Sequence, residues 1–126
     1  MKITTIKFGE IEFDSDKIIF FESGLFGFEQ LKKYLLIKSN DEFFYWLNSI
    51  DEPEIAFPLV GTRVLEVDYK YDDDFESFGI VNMNRDPLQI VVNLKAPVFI
   101  NQNEKKGFQK IFDFEEYSLN YSLFRE

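Results

Sequence analysis

The chain has 126 residues, of which 45% are hydrophobic and 18% aromatic, and it carries a formal net charge of -9 with no cysteine and no histidine. This length suits one domain around a single core, and the composition excludes a disordered chain. The negative charge argues against nucleic acid and anionic membranes as partners, because phosphate is recognised mainly through Lys and Arg, and it favours a basic protein partner.

The N-terminal stretch lacks the pattern expected of a secretory signal. Residues 1–13 alternate charged and apolar side chains, whereas a secretory signal needs a continuous apolar run. No window of the sequence approaches the roughly 20 apolar residues of a membrane-spanning helix. A chain without cysteine is also compatible with a reducing compartment. We therefore expect one cytoplasmic domain over residues 1–126.

The first part of the chain predicts a hairpin and a mixed segment. Residues 9–13 alternate apolar and acidic side chains, which is typical of a half-exposed strand, and 14–16 has turn chemistry. Residues 17–21 then predict the return strand of a first hairpin. Further on, apolar spacing predicts one helical turn near 28–33 and a strand near 34–38.

The middle of the chain predicts two more strands. Turn residues at 39–41 and 51–53 flank the aromatic segment 42–50, and a second apolar segment follows at 54–60. Pro58 lacks a backbone N–H, so its strand should lie at a sheet edge or bend there.

The remaining segments continue this pattern. Residues 64–69 resemble a further strand, and the acidic residues 70–77 resemble a solvated loop or one frayed helical turn. Further strands are predicted at 78–83, 88–100 and 108–112, with turns at 84–87 and 101–107, while the tail is ambiguous. Such short strands are typical of an all-β sandwich or a small barrel. We predict a mainly β fold, a small antiparallel β-barrel-like domain with one or two short helical turns.

The residues of common catalytic designs are missing. Without His and Cys, the usual general base, thiol nucleophile and zinc ligands are absent together. Asp72, Asp73 and Asp74 lack the alternating spacing of a calcium loop and indicate a solvated acidic loop. We expect neither catalysis nor a cofactor. The alternative function is a carboxylate-dependent enzyme or a sugar-binding β domain.

The segment FFYWLNSIDEPEIAF, residues 43–57, contains five aromatic rings. In a strand, Phe43, Tyr45 and Leu47 lie on one face while Phe44 and Trp46 lie on the other, so both faces should be covered. We interpret Phe44 and Trp46 as core residues. Tyr45 is expected to be more open because its hydroxyl prefers a polar neighbour.

Four segments of the chain together resemble one known family. They are FGEIEF at 8–13, KIIFFESGLFGFEQLKKYLLI at 17–37, FFYWLNSIDEPEIAFPLV at 43–60 and NLKAPVFIN at 93–101. In this order they resemble the FliW family of flagellar assembly factors, over nearly the whole chain.

The resemblance implies a small cytoplasmic β-barrel-like protein without enzymatic activity. It also implies two alternative partners, flagellin and the RNA-binding translational repressor CsrA. When flagellin has been exported, the freed protein would bind CsrA and relieve repression of flagellin mRNA. Lys70 stands where the family commonly has an acid, within Val67-Asp68-Tyr69-Lys70-Tyr71.

The candidate contact residues form two groups besides Tyr45. Phe57, Pro58 and Val60 are read either as an ordinary edge strand or as an edge open to a partner. The second group is expected to be an exposed aromatic and acidic patch, with a solvated loop as the alternative. Its members are Asp68, Tyr69, Lys70, Tyr71, Asp72, Asp73 and Asp74. Asn93 and Pro97 are assigned to turn and strand-end geometry.

Overall fold

The computed structural model describes residues 1–40, 43–67, 69, 73–114 and 116–124. These residues form ten strands and three single turns of 3₁₀ helix. The strands are β1 (Lys2–Thr5), β2 (Gly9–Glu12), β3 (Ile19–Phe21), β4 (Lys33–Lys38), β5 (Tyr45–Ser49), β6 (Ala56–Gly61), β7 (Glu76–Asn82), β8 (Val91–Asn101), β9 (Lys106–Gln109) and β10 (Tyr121–Ser122). The 3₁₀ turns span Ser15–Lys17, Thr62–Leu65 and Pro87–Gln89.

Strands β3 to β9 close into a barrel. Each strand from β3 to β8 pairs antiparallel with the next along the chain, ending with the pair β8–β9. The ring is completed by a parallel pairing between β3 and β9, in which Phe20 lies opposite Lys106 and Phe21 opposite Gly107. Strand β10 adds to the outside of β8. The predicted mainly β, barrel-like fold with short helical turns is confirmed.

The predicted first hairpin, which joins residues 9–13 to 17–21, has the wrong partner strand. Strand β2 pairs with β1, which the sequence reading had not assigned, and the two form a separate two-stranded sheet. A return strand from 17 is not available because Ser15–Lys17 is a 3₁₀ turn. The tip of the β1–β2 hairpin contacts Trp46, with the Phe8 ring 6.3 Å from the Trp46 ring and the Lys7 ammonium 4.8 Å from it.

The helical turn predicted at 28–33 is absent. Leu25 and Phe28 form an isolated antiparallel bridge, and Leu25 is buried in the barrel core. Gly24 has a φ of 67°, and a Cβ there would lie 2.7 Å from the backbone of Glu29. The tight turn therefore depends on glycine, and the apolar spacing of 28–35 reflects burial of separate side chains rather than a helix.

The strand predicted at 64–69 is also wrong. Thr62–Leu65 is a 3₁₀ turn, and Glu66 ends it in the left-handed region with a φ of 58°. The backbone N–H of Glu66 donates to the Arg63 carbonyl at 3.1 Å. Apolar alternation here reflects side chains that pack on a second, outer cluster to which Leu65 and Val67 contribute.

Strand β6 lies inside the sheet, so of the two alternatives predicted from Pro58, an edge strand or a bend, the edge strand is wrong. It pairs with β5 on one side and β7 on the other. Pro58 pairs with Trp46 of β5, but the pairing with β7 begins only at Leu59, so Pro58 has no partner residue on β7. The missing N–H of Pro58 is accommodated because it comes before the second ladder starts.

Asn93 shapes β8, as its turn-type assignment predicts. The pairing of β7 with β8 shifts register between Phe78 and Ile80. The Asn93 side-chain oxygen accepts hydrogen bonds from the backbone N–H groups of Lys95 at 2.9 Å and Ala96 at 3.1 Å. Asn93 thereby supplies bonds to backbone groups of β8 that the interrupted ladder leaves without partners on β7.

The barrel interior is filled largely by aromatic and branched side chains. The fully enclosed members include Phe21, Tyr34, Leu47, Leu59, Phe78 and Val98. Tyr34 packs edge-to-face against Phe21 with ring centroids 5.2 Å apart. No described residue offers the Tyr34 hydroxyl a hydrogen bond. Burial, and secondarily the charge of Asp51, raises the pKa of Tyr34 to about 12.

We predict that Tyr34→Phe raises the free energy of unfolding near pH 7 by about 1 kcal/mol, because a buried hydroxyl without a partner is costly. The pKa of Tyr34 lies above the unfolded value of 10.0. Below pH 10 Tyr34 is protonated in both states and its ionisation does not affect stability, whereas from pH 10 toward 12 the unfolded state ionises first and the free energy of unfolding of the wild type falls. The variant should lose less stability over that interval. Urea unfolding of the wild type and the variant near pH 7 and near pH 12 checks this prediction. A variant less stable than the wild type at neutral pH would contradict it.

Candidate partner-binding surface

Tyr69, predicted to be exposed, is a buried residue. Only 7% of its surface is accessible, and its hydroxyl donates a hydrogen bond to the Leu94 carbonyl at 2.7 Å. Its ring packs 4.9 Å from Phe112, 4.8 Å from Tyr117 and 6.0 Å from Phe99. Burial, with the neighbouring Tyr117, raises the pKa of Tyr69. The prediction of exposure is wrong because the chain after β9 supplies rings that cover this side chain.

Of the predicted edge residues, Val60 is fully buried, and Phe57 is half-buried. The Phe57 ring lies 5.0 Å from Phe28 and contributes to the barrel core. Tyr45 is likewise half-buried, with its ring 5.3 Å from Phe78. These side chains are partly or wholly buried because Phe57 and Tyr45 pack against the barrel core and Val60 belongs to the cluster on the other face of the sheet.

The acidic part of the predicted patch is described in part. Asp68, Lys70, Tyr71 and Asp72 lie outside the described residues. Asp73 and Asp74 are exposed in the turn that leads into β7. Within the described ranges, no group of three or more acidic side chains is placed to hold a metal ion.

An aromatic groove begins directly after Asp74. It has a volume of about 660 Å³ and is lined by Phe20, Glu22, Ser23, Lys32, Phe75, Lys106, Gly107 and Phe108. Phe75 and Phe108 meet edge-to-face at 5.3 Å, and Phe108 stacks on buried Phe99 at 5.0 Å. The ring of Phe108 therefore packs on a buried core side chain, and Phe75 packs on Phe108. Phe20, on β3, is 50% exposed.

Both signs of charge border the aromatic groove. The Lys106 ammonium lies 5.7 Å from the Phe75 ring and 3.1 Å from a Glu104 carboxylate oxygen. Asp73 and Asp74 add two exposed carboxylates beside Phe75. Partly exposed rings bordered by charged groups resemble the composition of protein interfaces. We call Asp73, Asp74, Phe75, Phe20 and Phe108 the acidic–aromatic surface.

Sequence reasoning missed Phe20 and Phe108. For Phe20 a signal is present, because Ile19 and Phe21 must point inward in a strand, so the residue between them points outward. For Phe108 no local signal exists, since its position depends on the pairing of β9 with both β3 and β8.

The segment after β9 also exposes apolar side chains. Ile111 and Phe114 are each 59% exposed, and Leu119 is 54% exposed. Phe112 and Tyr117 of the same segment cover Tyr69. The apolar side chains of this segment do not share one face that could pack on the barrel. Some of them therefore remain exposed and available for contacts.

Comparison with known proteins gives a consistent result over the chain. A family model described as FliW protein matches residues 2–72 and 64–123. The chain belongs to the FliW family. It is 40% identical over 131 residues to the flagellar assembly factor FliW of Caldicellulosiruptor saccharolyticus, covering 93% of this chain and 86% of the relative.

Further relatives agree. The flagellar assembly factor FliW of Thermoanaerobacter pseudethanolicus is 36% identical over 142 residues, covering all of this chain and 95% of the relative. A crystal structure of the flagellar assembly factor FliW superposes with a TM-score of 0.90 at 26% identity, over 100% of this chain and 99% of that one. The barrel described above is thus the FliW fold. No helix within the described residues has the length and apolar character to cross a membrane.

Proposed function

We propose that this protein is a non-catalytic, cytoplasmic flagellar assembly factor that binds flagellin and, alternatively, CsrA. Binding of CsrA would relieve repression of flagellin mRNA translation, and binding of flagellin would prevent it. The observation that carries this proposal is membership of the FliW family across nearly the whole chain.

The charge of the chain supports a basic partner. With a net charge of -9, the surface field attracts a basic RNA-binding protein and repels RNA phosphates. Physiological salt limits this field to about 8 Å, so an acidic group affects a partner mainly when it lies near the contact. Asp73 and Asp74 meet this condition if the acidic–aromatic surface is the contact.

The acidic–aromatic surface is our candidate contact because Phe20 is exposed, and Phe75 and Phe108 are partly exposed and packed in place. Phe75 and Phe108 are packed against each other, and Phe108 is backed by Phe99. Aromatic side chains fixed in this way bury apolar area on binding with little loss of rotamer freedom. The surface replaces Tyr69 as the aromatic part of the predicted site.

We predict that the association rate with CsrA falls from low to physiological salt, while the dissociation rate changes less. The variant Asp73→Asn/Asp74→Asn should reduce the low-salt association rate roughly two- to threefold, since steering depends on charge near the contact. Surface plasmon resonance at several salt concentrations provides the measurement.

The matched control is Asp14→Asn/Asp16→Asn. It removes the same charge from the exposed turn before β3, where the Asp14 side chain makes no capping bond. Equal effects of the two variants would assign steering to net charge and remove the acidic–aromatic surface from the site. Failure of wild-type protein to bind either flagellin or CsrA in titration would refute the proposed function itself.

A further inference from the structure

A second groove lies between the β1–β2 hairpin and strand β4. Its volume is about 360 Å³, and it shares no lining residue with the aromatic groove. Its apolar lining consists of Ile11, Phe13, Ile19, Leu35, Leu36 and Ile37. The polar lining is Lys17, Lys38, Gln102 and Lys105. We call it the lysine groove.

The charge of the lysine groove is opposite to that of the chain. Lys17, Lys38 and Lys105 line it, and no carboxylate is among its described lining residues. The salt bridges within the described residues involve Lys2, Lys95 and Lys106, and none of the three groove lysines. In a chain with 23 acidic and 14 basic residues, three lysines around one apolar groove, none in a salt bridge with a described residue, are a local excess of positive charge.

The nearby acids of β2 do not neutralise this groove. Glu10 and Glu12 interact with Lys2 at 3.6 and 3.7 Å. Ile11 lies between them and lines the groove, so alternation along the strand places the two carboxylates on the opposite face. The hairpin therefore presents an apolar face to the groove and directs its negative charge away.

One wall of the lysine groove is an unpaired edge of β4. The ladder between β3 and β4 contains only the pairs Ile19–Tyr34 and Phe20–Lys33. It stops there because Ser15–Lys17 is a 3₁₀ turn, in which the Lys17 N–H donates to the Asp14 carbonyl.

The direction of the backbone groups of β4 follows from its bonds to β5. The Ile50 N–H donates to the Lys33 carbonyl, and the Ser39 N–H donates to the Phe44 carbonyl. In an antiparallel ladder these bonds alternate, so odd-numbered residues of β4 face β5 and even-numbered residues face away. Leu36 and Lys38 thus direct their N–H and C=O groups toward the missing continuation of β3.

We propose that the lysine groove binds an extended, acidic segment of a partner protein, which adds as a short strand to the edge of β4 at Leu36 and Lys38. Main-chain hydrogen bonds would hold the segment, apolar side chains would occupy the groove, and carboxylates would pair with Lys17, Lys38 and Lys105. This partner chemistry is opposite to that expected at the acidic–aromatic surface. The inference does not depend on the proposed function.

The test uses a short capped peptide of alternating valine and glutamate, titrated into the full chain and followed by NMR. We expect amide shifts at Leu36 and Lys38, and a binding constant that weakens about tenfold in Lys17→Gln/Lys38→Gln/Lys105→Gln, as expected from losing three partly exposed ion pairs. The control Lys32→Gln/Arg63→Gln/Arg85→Gln removes three positive charges elsewhere and should bind like the wild type.

Two further peptides separate the components of the interaction. A valine–lysine peptide should not bind, and a valine–glutamate peptide with N-methylated backbone should lose binding because it cannot extend a ladder. Equal binding by either peptide would overturn the proposal. So would lysine-dependent dimerisation of the protein with no peptide binding, since the groove would then be occupied by a second copy.

Discussion

Replacing Tyr69 with Ala should lower the free energy of unfolding by about 3–5 kcal/mol, the range measured when a large buried ring is truncated. The side chain is enclosed by Phe99, Phe112 and Tyr117, and its hydroxyl satisfies the Leu94 carbonyl. Truncation removes the ring contacts and the hydrogen bond together. Urea denaturation followed by fluorescence measures the loss.

Tyr69→Phe is the matched control for that change. It keeps the ring and removes only the hydrogen bond to Leu94, so it should cost about 1–2 kcal/mol. A Tyr69→Ala variant that folds as stably as the wild type would show that the ring is not part of the core.

Gly107→Ala should destabilise the protein by about 1–3 kcal/mol through overpacking. A Cβ at this position would lie 2.5, 2.8 and 2.9 Å from three ring atoms of Phe21. Phe21 is fully buried and is held on β3 directly opposite Gly107 in the parallel pair that closes the barrel. The ring cannot move away without disturbing its edge-to-face contact with Tyr34.

A double-mutant cycle tests this explanation. Phe21→Leu removes the ring atoms that meet the new methyl group, so Gly107→Ala should cost much less in that background than in the wild type. Equal costs in both backgrounds would mean that the clash is not the cause. Gly61→Ala is a suitable control, because its Cβ would find no atom nearer than 4.0 Å.

Features set by local chemistry could be predicted from the sequence. Alternation and turn residues predicted most of the strands that form the barrel, including the long β8 and the short turn at 84–87. The aromatic segment is a central strand, as predicted, but two of its assignments are reversed: Tyr45, expected to be more open, packs inward against Phe78, whereas Trp46, interpreted as a core residue, is half-buried and contacts Phe8 of the hairpin. The correct predictions follow from the period of a strand and from the need to bury large rings.

Features set by distant pairing could not be predicted. Tyr69 is buried only because Phe112 and Tyr117, more than forty positions later, pack on it. The partner of β2 was misassigned because the hydrophobic pattern specifies a face but not which strand lies alongside. The acidic–aromatic surface combines β3, β9 and the turn before β7, and no stretch of sequence contains all three.

The parallel closure between β3 and β9 has a consequence for biosynthesis. Phe20 and Phe21 of β3 pair with Lys106 and Gly107 of β9, which are synthesised much later. A nascent chain on the ribosome can therefore pair the antiparallel strands in order but cannot close the barrel until β9 is available. Until Lys106–Gln109 has been made, β3 and β8 are bare sheet edges with aromatic side chains beside them, a state open to pairing with other chains. Such long-range closure also slows folding. Newly made copies of this protein are therefore most vulnerable to aggregation in the interval just before β9 arrives.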